Sequence, residues 1–220
     1  GHHRASGSFD VIYEMDENGY KKIENPKIPS RSLYFFGDSY TFGHGVSNAD
    51  TSPTILADRY LRDDIAVYNL GVMGYGITQM AVRFLEIESK LRPGDLVIFS
   101  PTTQDLTRDV FSFTMPMCLF FSNRVTPFQR FPVFRNGQFE YWPMDNLFNR
   151  LRLIAEFAPC TGRFLRLIEP KQIRLQKALE NQKMNQEIIE TVKEKVEKKG
   201  AHFCLFFLPE QEELSLQNYS

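Results

Sequence analysis

A serine stands directly behind an apolar run in residues 33–46, which read LYFFGDSYTFGHGV. Ser39 follows Gly37 and Asp38, at the point where a buried strand would give way to a helix. A hydroxyl in that place is exposed and lies near backbone N–H groups that carry partial positive charge. The residues alone allow two interpretations: Ser39 is a nucleophile, or it is the first polar residue of a turn.

Two further loops supply groups that could stabilise a developing negative charge. The segment NLGVMGYG, which contains Gly74, follows a second apolar run, and the segment PTTQD, which contains Gln104, follows a third. Gly74 has no Cβ, so its N–H can approach an oxyanion closely, and Gln104 can offer a side-chain amide. Taken singly, glycines after a strand are most often turn formers. Because the carboxyl ends of parallel strands meet at one edge of a sheet, the three loops together favour a common site.

The elements that would position these loops alternate between strands and helices. Continuous apolar runs ended by glycine or proline predict buried strands, and apolar residues spaced three and four apart predict helices. The predicted strands are 32–37, 65–72, 95–100 and 201–209, and the predicted helices are 51–64, 78–91 and 171–199. Short connections between them predict βαβ units, and we therefore expect a three-layer α/β domain with a parallel sheet.

Two further regions precede and interrupt this domain. The pair Asn18-Gly19 predicts a small N-terminal β-hairpin, so 1–30 is assigned to a hairpin and linker and 31–220 to the α/β domain. An aromatic-rich insertion at about 107–165 contains the pair Asn136-Gly137, which predicts a second hairpin. Its large side chains predict a lid-like subdomain that packs on the sheet, and some of them could line a substrate site. They include Met115, Met117, Phe120, Phe121, Phe128 and Phe131.

Composition narrows the possible functions. The net charge of −1 argues against a general electrostatic attraction to nucleic acid or to an anionic membrane. No run of about 18 apolar residues occurs, so no membrane span is predicted. Cys118, Cys160 and Cys204 lack metal-ligand spacing, so no metal is expected, and no motif requires another cofactor. A Cys118–Cys160 bridge stays open, and Cys204 is expected to pack as a small hydrophobe in the fourth strand.

Taken together, the GDSYTFGHGV, NLGVMG and TTQD segments resemble the SGNH (GDSL-type) hydrolase family. The resemblance covers residues 33–105 and, less closely, the 201–209 strand. It implies a flavodoxin-like α/β/α fold and the cleavage or transfer of acyl groups through an ester on a serine. By this resemblance Ser39 is the nucleophile, Gly74 is an oxyanion glycine, and Gln104 stands where the family usually has an asparagine. It also suggests a bacterial cell envelope or periplasmic location, although the residues alone leave the location open, the cytoplasm included.

The resemblance implies a histidine base in an Asp-x-x-His motif, which this sequence does not contain. Its histidines are His2, His3, His44 and His202. His202 opens the fourth strand, about 20 Å from the carboxyl end of that strand. In a regular helix, His44 would point about 140° away from Ser39, although glycines at 43 and 45 loosen this restraint. We therefore expect the base in a C-terminal segment beyond Ser220.

Three functions remain open. The leading one is a serine esterase or O-acyltransferase that acts on a small-molecule or glycan acyl ester through an acyl-serine intermediate. The alternative is a catalytically inactive SGNH-like module that binds a glycan or a partner protein. A nucleotide site ranks last, because neither G-x-G-x-x-G after the first strand nor G-x-x-x-x-G-K-[ST] is present. The sequence does not indicate an oligomeric state.

Overall fold

Eight strands form three sheets, of which the largest is parallel and central. The structure, a computed structural model, describes residues 2–5, 9–61, 64–106, 130–143, 148 and 171–209, and the count refers to these. The strands are β1 (His2–Ala5), β2 (Phe9–Ile12), β3 (Arg31–Gly37), β4 (Ile65–Asn69), β5 (Leu96–Ser100), β6 (Arg130–Arg135), β7 (Gln138–Pro143) and β8 (His202–Leu205). The central sheet has the order β4-β3-β5-β8, and every neighbouring pair in it is parallel. This doubly wound topology confirms the predicted α/β class.

Helices cover both faces of the central sheet. In the described ranges they are α1 (Ser39–Phe42), α2 (Ser52–Tyr60), α3 (Ile77–Leu85) and α4 (Lys171–Lys198). On one face, Leu56 of α2 packs against a small cluster that contains Val67. On the other face, Phe84 of α3 and Ile188 of α4 are fully buried in the main core. Three layers result, because α2 packs on one face of the sheet and α3 and α4 pack on the other.

The longest described helix, α4, carries the apolar repeat that predicted it. Ile188, Val192 and Val196 recur four residues apart and are completely buried against the sheet and α3. The exposed positions between them are mostly charged or amide side chains, as expected of a helix with one buried face. In the ranges given above, no helix combines the length and the apolar character needed to cross a bilayer.

The fourth strand of the sheet is not buried on both faces, and that part of the prediction is wrong. β8 pairs with β5 on one side, and in the described part of the chain it has no strand on the other. Phe203 faces the core, with its ring 5.5 Å from that of Phe99. Cys204 and Leu205 are exposed, so Cys204 does not pack as a buried hydrophobe. A continuous apolar run therefore did not distinguish a central strand from an edge strand.

The N-terminal region contains a hairpin and then runs along the edge of β4. β1 and β2 pair in antiparallel fashion, whereas the turn at Asn18-Gly19 closes a single bridge, between Met15 and Lys21. The side chain of Asn25 then pairs with β4, accepting from the Val67 N–H at 2.7 Å and donating to the Val67 carbonyl at 2.8 Å. These contacts satisfy backbone groups on the side of β4 where, among the described strands, no other strand pairs with it.

The second predicted hairpin is confirmed. β6 and β7 pair around Asn136 and Gly137, whose φ values of 50° and 75° are those of a two-residue hairpin turn. Phe134 is buried with the core side chains of α3 and α4, so the hairpin packs on the main domain. The other insertion residues expected to form a lid, and the Cys118–Cys160 pair, lie outside the described residues, and the side chain of Phe131 is not described.

Candidate active site

Ser39 is the first residue of the short helix α1, directly beyond the carboxyl end of β3. Asp38 is almost completely buried and caps the helix, accepting the Tyr40 N–H on Oδ1 at 2.9 Å. The helix ends at Gly43, whose φ of 76° is left-handed. Ser39 itself is partly exposed, and its Oγ donates to Asp38 Oδ2 across 3.4 Å. That distance is long for a hydroxyl donor, so this hydrogen bond is weak.

Two glycines allow α1 to approach the ends of β3 and β4 closely. A Cβ at Gly37 would overlap the side chain of Thr41. A Cβ at Gly71 would lie 2.5 Å from the backbone nitrogen of Phe42. Because real Cβ atoms do not approach backbone so closely, neither position tolerates a side chain without displacing α1. The glycines of the first and second loops therefore fix where Ser39 lies.

Asn69 joins the second loop to α1, a role that its place in the sequence did not predict. Its side chain is buried, with Nδ2 donating to the Thr41 carbonyl at 2.8 Å and Oδ1 accepting from the Gly71 N–H at 3.0 Å. The Val72 N–H donates to the Gly37 carbonyl at 3.0 Å, which adds a second link. An asparagine at the end of a buried strand was the available signal, because a side-chain amide can satisfy both a donor and an acceptor there.

Gly74 lies in an exposed turn beyond this link. Its φ of 79° is left-handed, which a residue with a side chain rarely adopts, and among the described residues, its chain neighbours aside, no atom lies within 4 Å of where its Cβ would be. The turn is closed by the Tyr75 N–H, which donates to the Val72 carbonyl at 3.2 Å. Burial raises the pKa of the neighbouring Tyr75 above its ordinary value, with Arg83 acting in the opposite direction. The phenol therefore stays protonated at neutral pH.

The third loop is organised by Asp105 and held by α4. Asp105 is completely buried, and its Oδ2 accepts the Thr102 N–H at 2.8 Å while its own N–H donates to the Thr102 carbonyl at 3.1 Å. The Leu106 carbonyl accepts side-chain N–H groups from Asn181 at 3.0 Å and Asn185 at 2.8 Å. Gln104 is exposed within this turn.

A cavity of about 430 Å³ adjoins Ser39 on the side of α1 and α2. Its wall includes Ser39, Tyr40, His44 and the residues at the start of α2, and this volume falls in the range of small-molecule sites. Among the described residues that line it, Gly74 and Gln104 do not appear. Much of the wall comes from residues between 43 and 52, which the sequence pattern did not mark as part of a site.

The two histidines with described side chains lie at opposite ends of the domain. His202 pairs with Leu96 at the start of β5, and its N–H donates to the Asp95 carbonyl at 2.8 Å. This confirms that it lies at the far edge of the sheet from Ser39. His44 lines the same cavity as Ser39, and its backbone N–H donates to the Ser39 carbonyl at 2.9 Å. Its ring packs edge-on against Phe9, with 4.9 Å between centroids.

Comparisons with known proteins give distant structural likenesses. No protein-family model matches the chain, and no curated protein matches it in sequence. Among solved structures, a mutant of the esterase AlinE4 is 17% identical, and the match covers 81% of this chain and 77% of that one at a TM-score of 0.31. The α/β-hydrolase enzyme LAE5, from the metagenome of Lake Arreo in Spain, is 18% identical over 87% of this chain and 83% of that one, at a TM-score of 0.33. The function proposed below therefore rests on the geometry of the site.

Proposed function

We propose that the protein is a serine esterase or O-acyltransferase in which Ser39 attacks the carbonyl carbon of an acyl ester. The observation that carries this proposal is a partly exposed serine hydroxyl, beyond the carboxyl end of a central parallel strand, in the wall of a small-molecule-sized cavity. The attack would form an acyl-serine ester and release the alcohol of the substrate. The resemblance of the surrounding motifs to SGNH hydrolases supports the same assignment.

The oxyanion formed in this attack needs hydrogen-bond donors. In the proposal these are the Ser39 N–H, the Gly74 N–H and the side-chain amide of Gln104. The first N–H of a helix has no partner within that helix, so the Ser39 amide is a suitable donor. The anchoring of the second loop by Asn69 and of the third by Asp105 supports the assignment, because a fixed donor stabilises a transition state without reorganisation. Each such donor contributes about 3 kcal/mol.

A serine hydroxyl also needs a base that accepts its proton. Within the described residues, His44 is the imidazole that shares the cavity with Ser39. The family resemblance instead implies a histidine in an Asp-x-x-His motif. The acyl-serine ester is common to hydrolysis and transfer, which differ in whether water or an acceptor hydroxyl resolves it. The cavity volume supports a small-molecule or glycan acyl ester as substrate.

The proposal is tested by exposing the folded full-length protein to a fluorophosphonate probe and locating the adduct by mass spectrometry. We expect one adduct, on Ser39, and its complete loss in Ser39→Ala. Ser52→Ala is the matched control, because Ser52 lines the same cavity but begins α2. Labelling of another residue, or equal labelling of Ser39→Ala, contradicts the proposal.

A binding module without catalysis is the second candidate. It is favoured by one observation: in the described part of the chain, the hydrogen-bond acceptor of the Ser39 hydroxyl is Asp38 and not a histidine. This module would bind an acylated glycan or a partner protein without turnover. Absence of labelling, together with binding of an acylated glycan that survives unchanged, would establish it in place of the esterase.

A further inference from the structure

Lys21 is a buried lysine behind the cavity that contains Ser39. Only 2% of its surface is exposed, and its ammonium donates to the carbonyl oxygens of Gly43 at 3.1 Å and Val46 at 3.0 Å. The ammonium also lies over the rings of Tyr13 and Phe42, at 4.4 and 4.8 Å from their centroids. A buried charge is unfavourable unless hydrogen bonds and other charges compensate it, so a lysine at this position needs a reason.

The two carbonyls that accept from Lys21 belong to the cavity wall. Gly43 and Val46 both line the cavity, on the turn that follows α1. Within this turn, the Val46 N–H donates to the Gly43 carbonyl at 3.3 Å, and the His44 N–H donates to the Ser39 carbonyl at 2.9 Å. Lys21 therefore holds the turn 43–46 from the side opposite the cavity.

The N-terminal segment around Lys21 is itself fixed to the sheet and to the same turn. The backbone of Lys21 forms an antiparallel bridge with Asn69 at the end of β4. The hydroxyl oxygen of Tyr13 accepts the Gly45 N–H at 2.8 Å. The side chain of Asn48 donates to the carbonyls of both Glu14 and Lys22, at 2.8 and 2.9 Å. Through its bridge to Asn69 and its hydrogen bonds to Gly43 and Val46, Lys21 thus connects the edge of β4 to the cavity wall beside Ser39.

We propose that Lys21 is the positioning residue of the Ser39 cavity, joining the edge of β4 to the turn 43–46 and thereby setting the wall that the substrate contacts. It acts through the backbone of this turn and makes no contact with the reacting atoms. The inference deepens the proposed function. It rests on that function only for the labelling measurement, because the position of the turn can be measured without a substrate.

The charges around Lys21 give this link a pH dependence. Burial lowers the pKa of Lys21 to about 8, and the Asp50 carboxylate, from the turn 48–50, acts in the opposite direction. Two further titratable residues belong to the elements packed against it: Tyr13 of the N-terminal segment, whose ring centroid lies 4.4 Å from the ammonium, and His44, which lies on the turn that Lys21 holds. When the turn 43–46 opens and water reaches Lys21, the pKa of Lys21 returns to its ordinary value of 10.5. Because the closed turn then holds fewer protons than the open one, the opening becomes less favourable as the pH rises from 8.

The test compares Lys21→Met with the wild-type protein and with Lys22→Met, a control at an exposed neighbour whose partner is Glu24. Hydrogen exchange of the amides at 44–46 and the rate of fluorophosphonate labelling are measured after thermal unfolding shows that each variant is folded. In Lys21→Met we expect exchange to accelerate roughly tenfold or more, because the Gly43 and Val46 carbonyls both lose their hydrogen bond from Lys21. We expect labelling to slow about 10- to 100-fold, because a displaced wall misplaces the substrate. Lys22→Met should match the wild type in both.

If a folded Lys21→Met exchanges its amides at 44–46 at the same rate as the wild-type protein, the inference is overturned, whatever the labelling rate. If the wild-type protein is not labelled at Ser39, the proposed function fails while the exchange measurement still decides the role of Lys21. If Lys21→Met does not fold, a pH series on the wild-type protein decides. After correction for the intrinsic exchange rate, openings at 44–46 should become rarer between pH 7 and 9, and an unchanged or rising frequency contradicts the link.

Discussion

The side-chain amide of Asn69 donates to the carbonyl oxygen of Thr41 at 2.8 Å, and this bond joins the end of one strand to the helix that begins with Ser39. Both residues are buried, so the bond is shielded from water. The same Asn69 side chain also accepts the Gly71 N–H. This one side chain therefore links the first two loops of the candidate site, in addition to the backbone hydrogen bond from Val72 to Gly37.

Replacing Asn69 with alanine should loosen α1. Two buried backbone groups, the Thr41 carbonyl and the Gly71 N–H, would lose their partners, and we expect the free energy of unfolding to fall by about 1–3 kcal/mol. Urea unfolding measures this change, and fluorophosphonate labelling should slow in the same variant. Asn181→Ala is the control, because the Leu106 carbonyl keeps its bond from Asn185. Equal stability losses in the two variants would show that Asn69 has no special role.

Gly74 and Gly94 form a matched pair for separating backbone strain from function. Their φ values are 79° and 84°, and in the part of the chain that the structure describes, chain neighbours aside, no atom lies within 4 Å of where either Cβ would be. Alanine at either site should therefore cost a similar 1–2 kcal/mol or so of stability, through left-handed strain alone. Only Gly74→Ala should slow labelling of Ser39, because a backbone shift there moves a proposed oxyanion donor. If both variants label at the wild-type rate, the Gly74 N–H does not act in the reaction.

The fold could be predicted from the sequence because its signals are local. Runs such as SLYFFG end in glycine, and the helices between them carry apolar residues at helical spacing, so strands, helices and their parallel arrangement follow from short segments. The same local pattern failed for β8. Apolar content does not show whether a strand has a neighbour on both sides or a helix on both faces. Among the described residues, no strand pairs with β8 on its outer side, and Leu205 is 46% exposed.

The candidate site was only partly predictable for the opposite reason. Ser39 could be singled out because it directly follows a strand, a relationship between neighbours in sequence. The contacts that shape the cavity join residues more than twenty positions apart, such as Lys21 to Gly43 and Asn69 to Thr41. No periodicity links such pairs, and each side chain alone has an ordinary explanation as a surface or turn residue. Tertiary packing therefore decides the cavity, and the sequence pattern does not show it.

Removal of the Gln104 side chain should affect turnover and leave the fold intact. Gln104 is exposed in a turn that Asp105 and α4 hold, so Gln104→Ala should change the free energy of unfolding by less than about 1 kcal/mol. If its amide binds the oxyanion, kcat for a reactive aryl ester should fall about 100-fold. Gln186→Ala, at an exposed position of α4, is the control. Unchanged kcat in Gln104→Ala would remove this residue from the proposed oxyanion site.

The buried Lys21 should also leave a signature in the pH dependence of global stability. In the folded protein its pKa is lowered to about 8, whereas the unfolded chain has the ordinary value of 10.5. Between these values the unfolded state binds more protons than the folded state, so the contribution of Lys21 to the free energy of unfolding rises with pH. Urea unfolding of the wild-type protein and of Lys21→Met at several pH values isolates this contribution, because all other titrating groups are shared.

The stability of the wild type relative to Lys21→Met should be constant below about pH 7 and increase from pH 8 to 10. A difference that stays flat across this range would mean that the folded protein does not lower the pKa of Lys21, and a difference that decreases would mean that it raises it.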